Sequence, residues 1–122
     1  MLANLIKAEI EGLYIFFPNE ETGANASRTL SLKYDEIIKP TYPNIKYAIA
    51  FDRKGYGDII NQQGKKCCSD EFVSALTIRL AEYDLFYQGT TGIFTDTANL
   101  VYNIPECTNL SVGYFNHHQP TE

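Results

Sequence analysis

The apolar positions of this chain fall into short runs separated by polar and turn-forming residues. Leu2, Leu5 and Ile6, followed by Glu9, have the spacing of an amphipathic helix that Gly12 stops. Leu13-Tyr14-Ile15-Phe16-Phe17 is a continuous run of β-formers, the pattern of a strand covered on both faces, and Pro18-Asn19 ends it. From Gly23 to Leu32 small and polar residues give way to apolar ones, as at the opening of a helix, and Lys39-Pro40-Thr41-Tyr42-Pro43 reads as extended loop. Lys46 to Phe51 predicts a second strand, Arg53-Lys54-Gly55 a turn, and Gly57 to Asn61 a strand returning from it. Ser69 is placed to cap a helix, with Glu71 in its first turn and Phe72, Val73, Leu76, Ile78, Leu80 and Leu85 along its stripe. Thr90 to Asn99 reads as a loop, and Thr108 to Phe115 as a last strand running into Asn116-His117-His118. Alternating strands and helices predict an α/β fold, a mixed and mostly parallel sheet flanked by helices.

Length and composition narrow the class. The chain has 122 residues with 44% hydrophobic and 13% aromatic content, which suits one globular domain spanning residues 1–122. Its net charge of −5 and scattered basic residues, with only Lys65-Lys66 adjacent, disfavour a nucleic-acid partner. No apolar run reaches the roughly 20 residues of a bilayer span. Lys7, Glu9 and Glu11 interrupt the stretch a signal peptide needs, so no membrane association and a cytoplasmic location are expected. The three cysteines make a poor disulfide framework, since Cys67 and Cys68 are neighbours, and neighbours rarely reach disulfide geometry. That vicinal pair reads as packing at a helix start, and Cys107 as packing beside Glu106.

The residues able to do chemistry follow predicted strands, where open α/β sheets collect ligands. Glu20-Glu21 follows the LYIFF run, Asp52 follows KYAIAF, and His118 follows TNLSVGYF. Each has a plain reading as well. Glu20-Glu21 suits a solvated turn, because adjacent carboxylates repel and stay wet. Asp52 suits the Asp-Arg-Lys-Gly turn. Neighbouring histidines on a strand point to opposite faces, so one of the pair at most faces a given site. Two carboxylates and an imidazole are nonetheless a zinc-like ligand set.

Three segments in order resemble the co-catalytic zinc aminopeptidase and carboxypeptidase clan. They are LYIFFPNEETGANAS, IKYAIAFDRKG and NLSVGYFNHHQPTE, and the stretch TGIFTDTANLVYNIPECTNLSVGYFNHH is similar to a bacterial aminopeptidase-like branch of that clan. The resemblance runs from Leu13 to Glu122 and implies the carboxy-terminal part of a three-layer zinc-exopeptidase architecture of the phosphorylase/hydrolase-like type, truncated. It implies Glu20 as general base, Glu21 and His118 as ligands of one metal and Asp52 as ligand of a second, with Asp96 either near the substrate or capping a loop. His118 is preferred to His117 on its family-like distance from Gly113-Tyr114-Phe115. The implied cofactor is zinc. The implied reaction is attack of metal-activated water on a peptide or related amide, cut at an end.

The clan supplies two further ligands ahead of the Glu-Glu strand, a His in an HxD pattern and a bridging Asp. The twelve residues before Leu13 contain neither residue type, and the only histidines are His117 and His118. The expectation is therefore a hydrolase fragment holding part of the ligand set, with little or no peptidase activity as the isolated chain. The alternative is a non-catalytic interaction or structural module on a peptidase-like fold, and a third reading is a small-ligand binder using the Thr90–Asn99 loop. A shortened sheet leaves strand edges such as LYIFF open, which predicts a homo-oligomer built by edge pairing or strand exchange.

Overall fold

The computed structural model describes residues 7–17 and 25–113. In chain order they form α1 (Asn25–Leu32), α2 (Tyr34–Ile37), β1 (Tyr47–Arg53), β2 (Asp58–Gln62), α3 (Asp70–Ala81), β3 (Gln88–Thr91), α4 (Asp96–Leu100) and β4 (Glu106–Ser111). The four strands make one mixed sheet in the order β1-β4-β2-β3. β1 lies parallel to β4, β2 lies parallel to β3, and the pair Ile59–Leu110 joins the halves antiparallel. Helices pack on both faces, so the α/β expectation holds.

β4 is the last strand among the described residues and one of two inner strands of the sheet. Its residues from Cys107 to Ser111 are all buried, yet three of them are polar. Each polar side chain is tied to a neighbouring strand. Thr108 Oγ1 donates to the Ile60 carbonyl (2.7 Å), Asn109 Oδ1 accepts the Asp52 N–H (3.1 Å), and Ser111 Oγ accepts the Asp58 N–H (3.2 Å). The Thr108 and Ser111 bonds supplement a β2–β4 ladder with only one bridging residue pair, and all three satisfy groups whose burial would otherwise be costly.

The strand Gly57–Asn61 does return antiparallel to β1, but the two do not form a hairpin. β4 lies between them, and the connection 54–57 arches over its end. Crossing two strand spacings means covering about 9.6 Å, within reach of four extended residues. Gly55 (φ 80°) and Gly57 (φ 86°) supply the left-handed turns, and β4's exit is pinned beneath by Val112 N–H to Arg53 O and Gly113 N–H to Gly55 O, both 2.9 Å. An Arg53–Asp58 ion pair at 2.6 Å ties the feet of the arch.

One face of the sheet is closed by α1, α2 and α4. Tyr34, Ile38, Cys67, Leu100, Ile104 and Cys107 form its buried core, with Leu30, Ile45, Ala48 and Val101 packed around them. The other face carries α3, which touches β1 through Phe72 stacked on Tyr47 (5.4 Å) and approaches β3 where Val73 meets Gly89. α3 begins as its sequence predicts. Ser69 Oγ accepts the Phe72 N–H at 3.0 Å, and the Glu106 carboxylate takes both the Ser69 N–H (2.7 Å) and its hydroxyl (2.8 Å). Ser69→Ala is expected to cost about 1–2 kcal/mol, because the cap and the Glu106 contact go together. Urea unfolding with a shift below about 0.3 kcal/mol would show that the cap does not matter.

Two expectations fail. Leu13–Phe17 forms no strand: Leu13, Ile15 and Phe17 line a cavity beside β1, and Phe16 is 69% exposed. A β-former run becomes a strand only when a neighbour takes up its backbone bonds, and this one has no ladder partner among the described residues. The stretch Thr90–Asn99 is not all loop either. It contains the end of β3 and nearly all of α4, whose start is held by side chains distant in sequence. The expected first helix falls mostly on residues outside those described.

Candidate functional site

β1 and β4 run side by side in the same direction, with Tyr47 opposite Glu106 and Arg53 opposite Ser111. Their carboxyl ends therefore meet at one edge of the sheet. Asp52 lies there, next to the last residue of β1, with its side chain exposed and its N–H bound to Asn109. Glu20, Glu21, His117 and His118 lie outside the described residues. Asp52 is thus the one expected ligand among the described residues, and the carboxyl end of β4 lies beside it. Among the described residues no group of three or more His, Cys, Asp or Glu is arranged to hold a metal ion. An exposed carboxylate at this end of a parallel strand pair is an oxygen donor of the kind zinc accepts, so Asp52 fits the implied group as far as one ligand can.

Asp96 is elsewhere. It opens α4 at the opposite end of the sheet, where the chain leaves β2, and its buried Oδ1 has no hydrogen-bond partner. Its neighbours form a polar cluster with no signal in the sequence. The Gln63 side chain accepts both the Thr95 N–H (3.0 Å) and the Thr95 hydroxyl (2.9 Å) through Oε1, and its amide nitrogen reaches Thr97 Oγ1 at 3.4 Å. In the fold, Gln63 is 5% exposed and fastens α4 to the end of β2.

The Gln63 amide also points at Cys67 Sγ (3.7 Å). Cys67, Cys68 and Cys107 are all free and buried. Hydrogen bonding from Cys68, helped by Gln63 and opposed by burial, holds the Cys67 thiol down at about 7. The same bond to Cys67, together with burial, drives the Cys68 thiol up. Burial, with the charges of Cys67 and Glu106, pushes Cys107 up to about 12. A raised thiol stays neutral in the folded chain while the unfolded chain ionises above its ordinary value of 9.0. Folding stability should therefore fall as pH rises from 9.0 toward 12, by up to about 1.4 kcal/mol per pH unit for Cys107. A urea midpoint unchanged between pH 8.5 and 10.5 would refute this.

A cavity of about 570 Å³ lies along the outer side of β1, between Leu13–Phe17, Ile45, Ala48, Ile49 and the α4 residues Thr97 and Leu100. It is mainly apolar and sits toward the amino end of β1, away from Asp52. No helix among the described residues is long and apolar enough to cross a membrane. No family model, curated protein or solved structure matches this chain.

Proposed function

We propose that this chain belongs to a metal-dependent hydrolase of the zinc-exopeptidase type, with Glu20 as general base and Glu21, Asp52 and His118 as ligands. The supporting observation is the parallel pairing of β1 with β4, which brings Asp52 and the carboxyl end of β4 to the same end of the sheet. Ligands of open α/β sheets gather at such ends. Helices on both faces accord with the three-layer architecture of that clan. The chemistry zinc supplies in such a ligand set is Lewis acidity, which lowers the pKa of water and polarises a carbonyl. Glu20 takes the water's proton and delivers it to the leaving amine. The substrate is a peptide or related amide cut at a terminus, the location is cytoplasmic, and copies of the chain associate through the open edges of β1 and β3.

The test is X-ray absorption of the purified chain loaded with one equivalent of zinc. The expected result is a nitrogen and oxygen shell at about 2.0–2.1 Å with imidazole scattering, weakened in Asp52→Asn and lost in His118→Gln. Zinc that does not bind, or that shows a sulfur shell near ~2.3 Å, sinks the proposal. The cavity beside β1 favours a second reading, a non-catalytic binding module. Absence of zinc binding together with saturable uptake of an apolar fluorescent probe would support that reading instead.

A further inference from the structure

The vicinal cysteines have a geometry that core packing does not require. Both sulfurs converge on a single acceptor, the Ile60 carbonyl, with Cys67 Sγ at 3.5 Å and Cys68 Sγ at 3.8 Å. Neighbours in an extended segment normally direct their side chains to opposite faces. Here they share one side because the segment inserts where β2 and β4 diverge, with the Cys107 N–H bonded to the Cys67 carbonyl (2.8 Å). A third donor, the Gln63 amide, is directed at Cys67 Sγ (3.7 Å), and the 12-residue helix α3 begins just past Cys68.

We propose that Cys67 and Cys68 form a dithiol site for one trivalent arsenical or similarly thiophilic metalloid centre that takes two sulfur ligands. Such a centre needs two thiols on the same side and no third protein ligand. The lack of any three-residue ligand group among the described residues is therefore no obstacle. The binding step conserves redox state: an arsenoxide reacts with the two thiols, two As–S bonds form, and the arsenic-bound oxygen leaves with both thiol protons as water. Attack begins from a thiolate. Hydrogen bonding from Cys68 and from the Gln63 amide lowers the Cys67 thiol from its ordinary value and so favours attack from that sulfur. Oxidation to a disulfide is the poorer outcome, since adjacent cysteines rarely reach S–S geometry.

Both cysteines are only 3% exposed, but the residues just before them form the surface turn Gly64-Lys65-Lys66. The turn is held by Gln63 N–H bonded to Lys65 O (2.9 Å), a β-bridge between Gln62 and Lys66, an exposed Lys66–Asp70 ion pair (3.1 Å) and the Lys65 ammonium over the exposed Tyr102 ring. Local opening of such a turn needs much less free energy than global unfolding, and it gives the reagent its route.

The probe is phenylarsine oxide added to the full chain under native conditions and read by intact mass. One arsenical per chain is expected, retained in excess monothiol and released by a 1,2-dithiol, because only a two-sulfur chelate resists monothiol exchange. Cys67→Ser and Cys68→Ser should each abolish the monothiol-resistant adduct, and Cys107→Ser should keep it. Circular dichroism establishes that each variant is folded. The wild-type exchange assay needs no variant at all. No adduct on the native chain, an adduct stripped by monothiol, or one that survives Cys68→Ser would overturn the site.

Discussion

Ile59→Ala is expected to lower the stability of this chain by about 3–4 kcal/mol, within the range found for truncating a fully buried isoleucine. Ile59 is 0% exposed and pairs with Leu110, the one bridge between the two parallel halves of the sheet. Its removal leaves a cavity where those halves join. Relaxation is limited there, because the β2–β4 contact is held by Thr108 and Ser111 through fixed hydrogen bonds. For a domain of this size the loss corresponds to a fall in Tm of roughly 10–20 °C. Urea unfolding with an unchanged slope and a lower midpoint is the expected signature. A loss below about 1 kcal/mol would mean that the junction is looser than the buried side chain implies.

Gly57→Ala should be nearly as damaging, by a different route. Gly57 has φ 86°, a region that costs an L-residue about 1–2 kcal/mol. An added Cβ would also stand 2.7 Å from the Phe86 carbonyl oxygen, a backbone atom that cannot swing aside. The Gln88 N–H to Gly57 O bond at 2.8 Å holds the two segments together. The expected total is about 3–4 kcal/mol, the φ penalty plus strain of the size seen on overpacking. Gly55→Ala is the control. Its φ is 80°, but nothing lies within 4 Å of a Cβ there, so only the conformational cost of about 1–2 kcal/mol applies. Equal losses at the two glycines would remove the clash from the account.

The two positions show why the arch could not be read from sequence. Arg53-Lys54-Gly55 announces a turn between two strands, and the turn is there. A tight hairpin and an arch over a third strand place glycine in the same region of sequence. They differ in whether a strand from residues 106–111 enters between. That entry depends on a contact about fifty residues away in the chain, and local periodicity carries no trace of it.

The candidate site divides in the same way. Asp52 was legible, because the strand before it is apolar and the residues after it turn. Its place beside the carboxyl end of β4 is a product of parallel pairing between β1 and β4. The reading of Asp96 as part of that site rested on resemblance. The fold sets it at the other end of the sheet, behind the Gln63–Thr95–Thr97 cluster. Glutamine and threonine are ordinary surface residues in a sequence, and only burial turns them into a joint. The cysteines were legible as buried packing, whereas the convergence of Cys67 and Cys68 on one carbonyl appears only once β2 and β4 part around them.

By itself the sequence determined the local elements whose signals lie within a few residues. These are the α3 helix with its Ser69 cap and acidic first turn, the apolar core of β1, a strand through Thr108–Ser111 although not its end, and the α/β class. Capping, periodicity and turn chemistry act over one or two helical turns, so the chain writes them locally. The tertiary structure alone decided the strand order, the exclusion of Leu13–Phe17 from the sheet, and which chemical groups meet. Those outcomes depend on which distant backbone takes up a strand's free N–H and C=O groups, and on the apolar area buried when it does.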